Sequence, residues 1–298
     1  MLSPLATSAL KTIIFFDSQD IPLTLLEIKN YLVAQTGLSE PISLAELESA
    51  LGIELQSQIH HQDGLFFLAG REKLVDLRRT RYQISLLRFR KARRYLVGLR
   101  FIPFLRAVAV SGSQALMSCD TKSDIDLFII TAPRRIWLAR TFVSLYFQIT
   151  GQRRYAAHIA NRFCLNHYLS GEAKITRDQN LYTAVEYASL MPALGIAELN
   201  KFWQDNQWLS GFLHNPVAQH SNIFFNYEFS PWQKFFEGIL DYTIAPILNK
   251  LLGFYQKKRI QMQDHILVSD DELSFHPGSR GQTVLARFQA KLTQVHEP

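Results

Sequence analysis

Cysteine is scarce in this chain, and the two cysteines present, Cys119 and Cys164, lie far apart in the sequence. A disulfide framework or a zinc site needs closely spaced, paired cysteines, so neither is expected. We predict small buried thiols in a reducing compartment. The start of the sequence also lacks a basic region before its apolar run at 12–16. We therefore expect no signal peptide and a cytoplasmic protein.

Long hydrophobic runs are missing as well. A membrane-spanning helix needs about 20 predominantly apolar residues. The most apolar stretch late in the chain, 235–255, is interrupted by Glu237, Asp241, Asn249 and Lys250. We therefore predict no membrane span, and we interpret this stretch as a helix packed in the protein.

Positive charge is sparse over the first part of the chain. The formal net charge is +6, yet residues 1–70 contain two basic and eight acidic residues. Residues 71–106 contain twelve basic residues and two acidic ones. The excess of positive charge is therefore confined to one segment, which indicates a local role and not a diffuse affinity for nucleic acid.

Residues 1–70 have the pattern of three short helices followed by a hairpin. Thr24–Glu27 and Ser43–Glu46 are capping boxes, and Asp63-Gly64 is a tight-turn signal. This order is typical of a winged-helix-like module, whose third helix contacts DNA. Here the third helix and its exit carry only acidic charges, at Glu46, Glu48 and Glu54. Repulsion by phosphate disfavours DNA binding, so we favour a packing or protein-contact role.

The rest of the chain is predicted to form three further parts. A basic connecting helix covers 71–104, an α+β region covers 105–175, and a helical domain covers 176–298. Within the α+β region we expect strands at 106–110, 124–130 and 162–170, because these runs are apolar or alternate.

Two polar motifs lie at the ends of the first two expected strands. Gly112-Ser113 follows the first strand, and Asp124-x-Asp126 begins the second. A glycine at a strand-to-helix turn lets the backbone approach a phosphate closely. The two aspartates, at i and i+2 of a strand, point to the same face. Their mutual repulsion is relieved by cations such as Mg²⁺ bridged to a triphosphate.

These residues resemble the signature of the DNA polymerase beta-like nucleotidyltransferase superfamily. Val108-Ala-Val-Ser-Gly112-Ser113 is followed, ten residues later, by Asp124-Ile-Asp126-Leu-Phe-Ile-Ile. The resemblance implies an α+β palm with a mixed sheet. It also implies transfer of a nucleoside monophosphate from a nucleoside triphosphate, ATP by preference, to a hydroxyl. Asp124 and Asp126 would hold Mg²⁺ or Mn²⁺, Gly112 and Ser113 would hold the phosphates, and Lys122 would touch a phosphate.

One position departs from this pattern. Active members usually carry a third carboxylate on a later strand, and the corresponding residue here is Asn166. An amide can ligate a metal weakly but cannot accept a proton at neutral pH. Three alternatives follow. Another group could act as the base, namely His167, Glu172 or Glu186. The transfer could instead depend on the two carboxylates and be slow, or the site could bind nucleotide without turnover. We expect His167 to face away from Asn166 and to be a packed or surface histidine.

The sequence leaves the partner open. The hydroxyl acceptor could be a small molecule, a nucleic-acid end or a protein side chain. A second interpretation is a degenerate palm that senses nucleotide or binds a partner protein, as in antitoxin-like relatives. The basic segment leads directly into the strand that ends at Gly112, so we expect its arginine face to line the cleft.

Overall fold

The computed structural model describes residues 2–38, 41–155, 158–215, 225, 227–260, 266–275 and 279–296. The protein is a mixed α+β protein, as predicted. None of the helices in these ranges combines the length and the apolar composition that crossing a bilayer would require.

The N-terminal region contains the predicted three helices and hairpin. Their bounds are α1 Pro4–Asp17, α2 Leu25–Asn30, α3 Leu44–Ser49, β1 Ile59–Gln62 and β2 Leu65–Leu68. Both predicted capping boxes form, since the Thr24 and Ser43 side chains accept from the N–H groups of Glu27 and Glu46. A short π-helical turn, Ala50–Glu54, extends the third helix.

The basic segment forms one long helix, α4, over Leu74–Leu96, followed by a 3₁₀ turn at Val97–Phe101. Part of its positive charge faces the acidic N-terminal region. Arg78 forms an ion pair with Glu27, and Arg79 lies 2.8 Å from Asp63. Just before the helix, Arg71 pairs with Asp17 and Asp20. Among the described residues, three of the twelve basic residues of 71–106 therefore pair with acids of this region.

The central sheet has six strands in the order β6, β3, β4, β5, β8, β7. Their bounds are β3 Leu105–Ser111, β4 Ile125–Thr131, β5 Phe163–Ser170, β6 Met191–Leu194, β7 Leu267–Val268 and β8 Glu272–Ser274. β4 and β5 are parallel, and the other neighbouring pairs are antiparallel. The sheet is thus mixed, as expected.

The predicted boundary between an α+β region at 105–175 and a helical domain at 176–298 does not match the structure. Three of the six strands, β6, β7 and β8, come from the later part of the chain. β6 pairs with β3, and β8 pairs with β5. The later part therefore completes the sheet. These strands are two to four residues long, too short for an alternating pattern to reveal them.

Helices cover both faces of the sheet. They are α5 Gly112–Ala115, α6 Ile136–Ile149, α7 Leu181–Ala188, α8 Ile196–Asp205, α9 Pro231–Thr243, α10 Ala245–Ile260 and α11 Ser279–His296. Ala109 and Phe128 pack on one face with residues of α1, α7, α8 and α11. Val110 and Leu127 pack on the other face with residues of α4, α6 and α10.

The apolar stretch 235–255 is not one packed helix. It is divided between α9 and α10 at Ile244, two residues before Pro246, a residue that disrupts helix interiors. One side of each helix packs against the protein, and Leu240, Leu248 and Leu252 contact the core. The other side is exposed, with Tyr242 93% and Phe254 75% accessible.

Candidate functional site

The site begins where β3 ends beside the start of β4. Ser111, the last residue of β3, is paired with Asp126 on β4. Gly112 follows with φ of +62°, a left-handed conformation that favours glycine. A Cβ atom at this position would lie 3.0 Å from the Asp126 Oδ2 atom. Glycine is therefore required here both by the turn and by the closeness of the carboxylate.

The structure brings the two predicted carboxylates together. Asp124 directly precedes β4, and Asp126 is its second residue. One carboxylate oxygen of each residue and the Cys164 sulfur all lie within 4.8 Å of one another. Cys164 reaches this cluster because it is paired with Asp126 across the parallel β4–β5 ladder. The prediction that Asp124 and Asp126 share one face is confirmed.

Asn166 occupies the predicted third position. Its Nδ2 atom donates a hydrogen bond to Asp126 Oδ1, and its Oδ1 atom accepts one from the Cys164 thiol. The side chain is buried. No carboxylate of β5 joins the cluster, because β5 contains none. The amide is held in place from both ends.

The expectation that His167 faces away from Asn166 is wrong. The β4–β5 register shifts between Asp126 and Phe128, so that Phe128 is opposite His167. The His167 ring therefore lies 5.0 Å from the Phe128 ring, on the face that also carries Asp126. His167 is nevertheless a packed residue, as expected. It is buried, and its Nε2 atom lies 3.0 Å from Glu272 Oε1.

Cys164 is held as a neutral thiol. Burial raises the pKa of its thiol well above the ordinary range, and the negative charges of Asp126 and Asp124 raise it further. A protonated thiol is a poor metal ligand, because the thiolate is the coordinating form. Cys164 therefore acts in the cluster as a hydrogen-bond donor to Asn166.

Arg154 forms an ion pair with Asp124 of the cluster. Its Nη1 atom lies 2.6 Å from Asp124 Oδ2 and 3.2 Å from Cys164 Sγ. The Arg154 side chain is 41% exposed, so the pair is open to water. A cation arriving at Asp124 would compete with this guanidinium.

One member of the cluster, Asp126, lines a cleft of about 120 Å³ on the face of the sheet that carries Phe128. Four elements contribute polar side chains to its walls. Arg81 comes from α4, Ser113 from the turn after β3, Glu186 from α7 and Arg280 from α11. Two cations and the Ser113 hydroxyl thus share the cleft with the carboxylates of Asp126 and Glu186, an arrangement that could hold a ligand carrying phosphate together with a divalent metal.

Tyr182 of α7 also lines this cleft. Burial raises the pKa of its phenol to about 12, Glu186 and Asp126 raise it as well, and Arg280 opposes them. The phenol therefore stays protonated at neutral pH and is available as a hydrogen-bond donor.

The loop before β4 is ordered by Asp120. Partial burial opposes ionisation of this residue, but hydrogen bonds from the Ser123 side chain and from the Lys122 and Ser123 N–H groups lower its pKa. The Lys122 side chain is exposed and does not line the cleft, whereas Asp120 does. Because Lys122 does not line the cleft, the structure does not support the prediction that it touches a phosphate there.

The arginine face of α4 is divided. Arg81 lines the cleft, and Arg88 is buried and donates to the Thr121 carbonyl at 3.1 Å. The remaining large basic side chains on the outer side of the helix are exposed, at Arg79, Arg90, Arg93 and Arg94. The expectation that the whole face lines the cleft is therefore met only in part.

Several residues of the carboxylate cluster and of the cleft were not identified from the sequence. Arg154 and Arg280 lie in segments without a recognisable motif, and Cys164 was interpreted as a buried thiol without a role. Glu186 was named as a possible base, but no spacing linked it to Asp126. The fold alone brings these distant residues together.

The comparisons with known proteins identify no relative. No protein-family model matches the chain, and no curated protein and no solved structure matches it.

Proposed function

We propose that the protein is a Mg²⁺-dependent nucleotidyltransferase that moves a nucleoside monophosphate from a nucleoside triphosphate to a hydroxyl acceptor. The observation that carries this proposal is the convergence of Asp124 and Asp126 beside the Gly112-Ser113 turn. Gly112, Asp126, Arg81 and Arg280 line one cleft, and Asp124 belongs to the same carboxylate cluster as Asp126.

The donor atoms in the cluster fit Mg²⁺ or Mn²⁺. Asp124 and Asp126 offer carboxylate oxygens, the ligands that these hard cations prefer. The Asn166 amide oxygen is a weaker third metal ligand, and in the structure it accepts a hydrogen bond from the Cys164 thiol. A bound metal would neutralise triphosphate charge and stabilise the attacking and leaving oxygens of an in-line displacement at phosphorus. Asp124 would exchange its ion pair with Arg154 for the metal.

The remaining polar side chains have assignable roles in this proposal. Ser113 would donate to the phosphate oxygens, and Arg81 and Arg280 would pair with the phosphates through their guanidinium groups. Glu186 is the candidate base for the acceptor hydroxyl, because it lines the same cleft as Asp126. The other two candidates are less suitable, since His167 is buried against Glu272 and Glu172 is exposed and does not line the cleft.

One observation favours a second candidate function, nucleotide binding without efficient turnover. The third position holds an amide that donates to Asp126, so the cluster contains no carboxylate of β5 to receive the acceptor proton. A nucleotide sensor or an antitoxin-like partner protein would need the binding residues and not the base.

The first experiment is calorimetry of the full chain with ATP, with and without Mg²⁺. We expect Mg²⁺-dependent binding that is reduced at least about tenfold by Asp124→Ala with Asp126→Ala, a loss typical of metal ligands. Asp205→Ala removes an exposed carboxylate outside the cleft and serves as the control. Binding that ignores the double substitution would contradict both candidate functions.

Pyrophosphate release with a library of hydroxyl acceptors then separates the two functions. Release above background that Glu186→Gln abolishes would support transfer. Binding without release, together with a gain of release in Asn166→Asp, would support the sensor. The Asn166→Asp variant restores a carboxylate at the third position without changing the size of the side chain.

A further inference from the structure

The outer side of α9 and α10 carries an unusually large set of exposed apolar side chains. We call these residues the aromatic face, and they are Trp232, Phe235, Phe236, Ile239, Tyr242, Ile247, Leu251, Phe254 and Tyr255. Each is at least half exposed. Single exposed apolar residues are ordinary, but a contiguous group of this size marks an interaction surface.

The orientation of the aromatic face is fixed by the opposite sides of the two helices. Gln233 of α9 donates to the carbonyls of Ile102 and Leu105, at 3.2 and 3.0 Å. Glu237 accepts from the Phe104 N–H group and pairs with Arg106. In α10, the Asn249 Oδ1 atom accepts from the Leu138 N–H group at 3.0 Å. Because both helices are anchored by these polar contacts, their aromatic side faces away from the protein.

Three aromatic residues on α9 form an exposed cluster. The Trp232 ring lies 5.9 Å from the Phe235 ring and 6.4 Å from the Phe236 ring. Six of the nine residues of the aromatic face are Trp, Phe or Tyr. Such side chains are typical of proteins that insert into the boundary between lipid headgroups and acyl chains.

Positive charge borders the aromatic face. Within Pro231–Ile260 the exposed basic residues are Lys234, Lys250, Lys258 and Arg259. The exposed acid of this segment is Asp241, which pairs with Arg135 at 2.7 Å. Aromatic side chains next to basic residues that outnumber the acidic ones complement the surface of an anionic bilayer, whose acyl chains are apolar and whose headgroups are negatively charged.

We propose that α9 and α10 bind the surface of an anionic phospholipid bilayer, with the aromatic face inserted at the headgroup level and the bordering lysines at the phosphates. A second copy of the chain is a poorer fit, because facing copies would bring the same cations together. This is a peripheral contact, and it differs from the packed helix that the sequence suggested for 235–255.

The proposed membrane surface leaves the cleft accessible. Glu237 anchors α9 at Phe104 and Arg106, where β3 begins, whereas the cleft opens at Gly112, after β3 ends. The two sites therefore lie at opposite ends of one strand. Lipid binding does not depend on the proposed nucleotide chemistry, so each proposal can fail without the other.

The test is co-sedimentation of the full chain with vesicles of phosphatidylcholine, with or without added phosphatidylglycerol. We expect strong binding only to the anionic vesicles. Trp232→Ser with Phe235→Ser and Phe236→Ser should lower partitioning at least about tenfold, and Lys250→Glu with Lys258→Glu should lower it by a similar factor. Ile53→Ser with Ile149→Ser is the matched control, since both residues are exposed and lie outside the aromatic face.

Circular dichroism melting of each variant verifies folding. Sedimentation velocity without lipid tests whether the aromatic face instead binds a second copy of the chain. Equal binding to both vesicle types, or equal binding by the aromatic variant and the control, would overturn the proposal. A lipid-free dimer that the aromatic variant abolishes would also overturn it and assign the face to self-association. Loss of binding at high salt, together with an unchanged melting temperature, would support it.

Discussion

Gly112 occupies a position where the backbone conformation and the available space both restrict the side chain. Its φ of +62° is unfavourable for other residues, and a Cβ atom would crowd Asp126 Oδ2 at 3.0 Å. The turn is thus fitted to the carboxylate beside it. Any residue larger than glycine must move either the backbone or Asp126.

Gly112→Ala is therefore expected to lower the free energy of unfolding by about 2 kcal/mol. It should also weaken nucleotide binding, because Asp126 is displaced. Gly52→Ala provides the matched control, since no atom lies within 4 Å of its Cβ position and its φ is not positive. That control should be neutral or slightly stabilising. Urea denaturation of the wild-type protein and the two variants measures the changes in the free energy of unfolding, and calorimetry with ATP and Mg²⁺ measures the change in binding. Equal stabilities of the three proteins would contradict the prediction.

The candidate site was predictable where its residues belong to a recognisable pattern. Gly112, Asp124 and Asp126 were identified because a short spacer separates them and each motif borders an apolar run, and Asn166 was identified as the central polar residue of the next expected strand. Arg154 and Arg280 could not be identified, because only tertiary packing brings Arg154 to Asp124 and Arg280 to the cleft. The sheet face of His167 was predicted wrongly, because the register shift between β4 and β5 cannot be recognised from the alternation of polar and apolar residues.

Secondary-structure elements were predictable where local signals are strong. The capping boxes at Thr24 and Ser43 and the Asp63-Gly64 turn correctly marked two helices and the hairpin. The strands β6, β7 and β8 were missed, because they are short and form only through pairing with β3 and β5. Pairing with the sheet, and not local propensity, determines these strands.

The carboxylate of Glu237 is one of the two polar anchors described above for helix α9. Glu237 is 15% exposed, accepts from the Phe104 N–H group at 3.0 Å and pairs with Arg106. We expect Glu237→Ala to lower the free energy of unfolding by about 2–3 kcal/mol, since it leaves a partly buried guanidinium and an N–H group without their partner.

Asp241→Ala is the control on the same helix. Its carboxylate is 50% exposed and its partner Arg135 is 17% exposed, so the loss of this pair should cost about 1 kcal/mol, less than the loss of Glu237. Guanidinium denaturation curves of the two variants and the wild-type protein measure the two losses in the free energy of unfolding. Equal costs for the two variants would show that Glu237 does not anchor the helix.

The charge distribution of the whole molecule differs from what the net charge suggests. The acidic N-terminal region and the basic α4 form ion pairs with each other, among them Arg78 with Glu27 and Arg79 with Asp63. Each ion pair contributes no net charge, so the net charge of +6 comes from residues outside these pairs. Part of that remainder, on the outer side of α4 and beside the aromatic face, is exposed.

Alkaline pH should destabilise the protein as a whole. Burial is the main cause that raises the pKa values of several phenols and one thiol, those of Tyr31, Tyr168, Tyr182, Tyr187 and Cys164. The ordinary values are 10.0 for the phenols and 9.0 for the thiol. Above these values the unfolded chain releases protons that the folded protein retains. The stabilising contribution is therefore complete below about pH 9 and is lost as the pH rises toward the folded-state pKa values.

Denaturation curves from pH 8 to pH 11 measure this loss. Each group should contribute a slope of up to about 1.4 kcal/mol per pH unit above its ordinary pKa. Tyr168→Phe should make the decline shallower, whereas Tyr242→Phe, which alters a side chain that is 93% exposed, should leave it unchanged. A free energy of unfolding that is constant up to pH 11 would contradict the prediction.

The contact between α11 and α1 has a consequence for biosynthesis. The Phe288 ring lies 5.6 Å from the Phe15 ring, and Lys291 pairs with Asp17, which is 2% exposed. A ribosome produces α1 before α11, so this face of α1 stays uncovered until α11 has emerged. Arg280 belongs to the same helix and lines the cleft. A nascent chain therefore acquires the second cation of the cleft only after α11 has been made, and a chain that stops before α11 has a cleft without it.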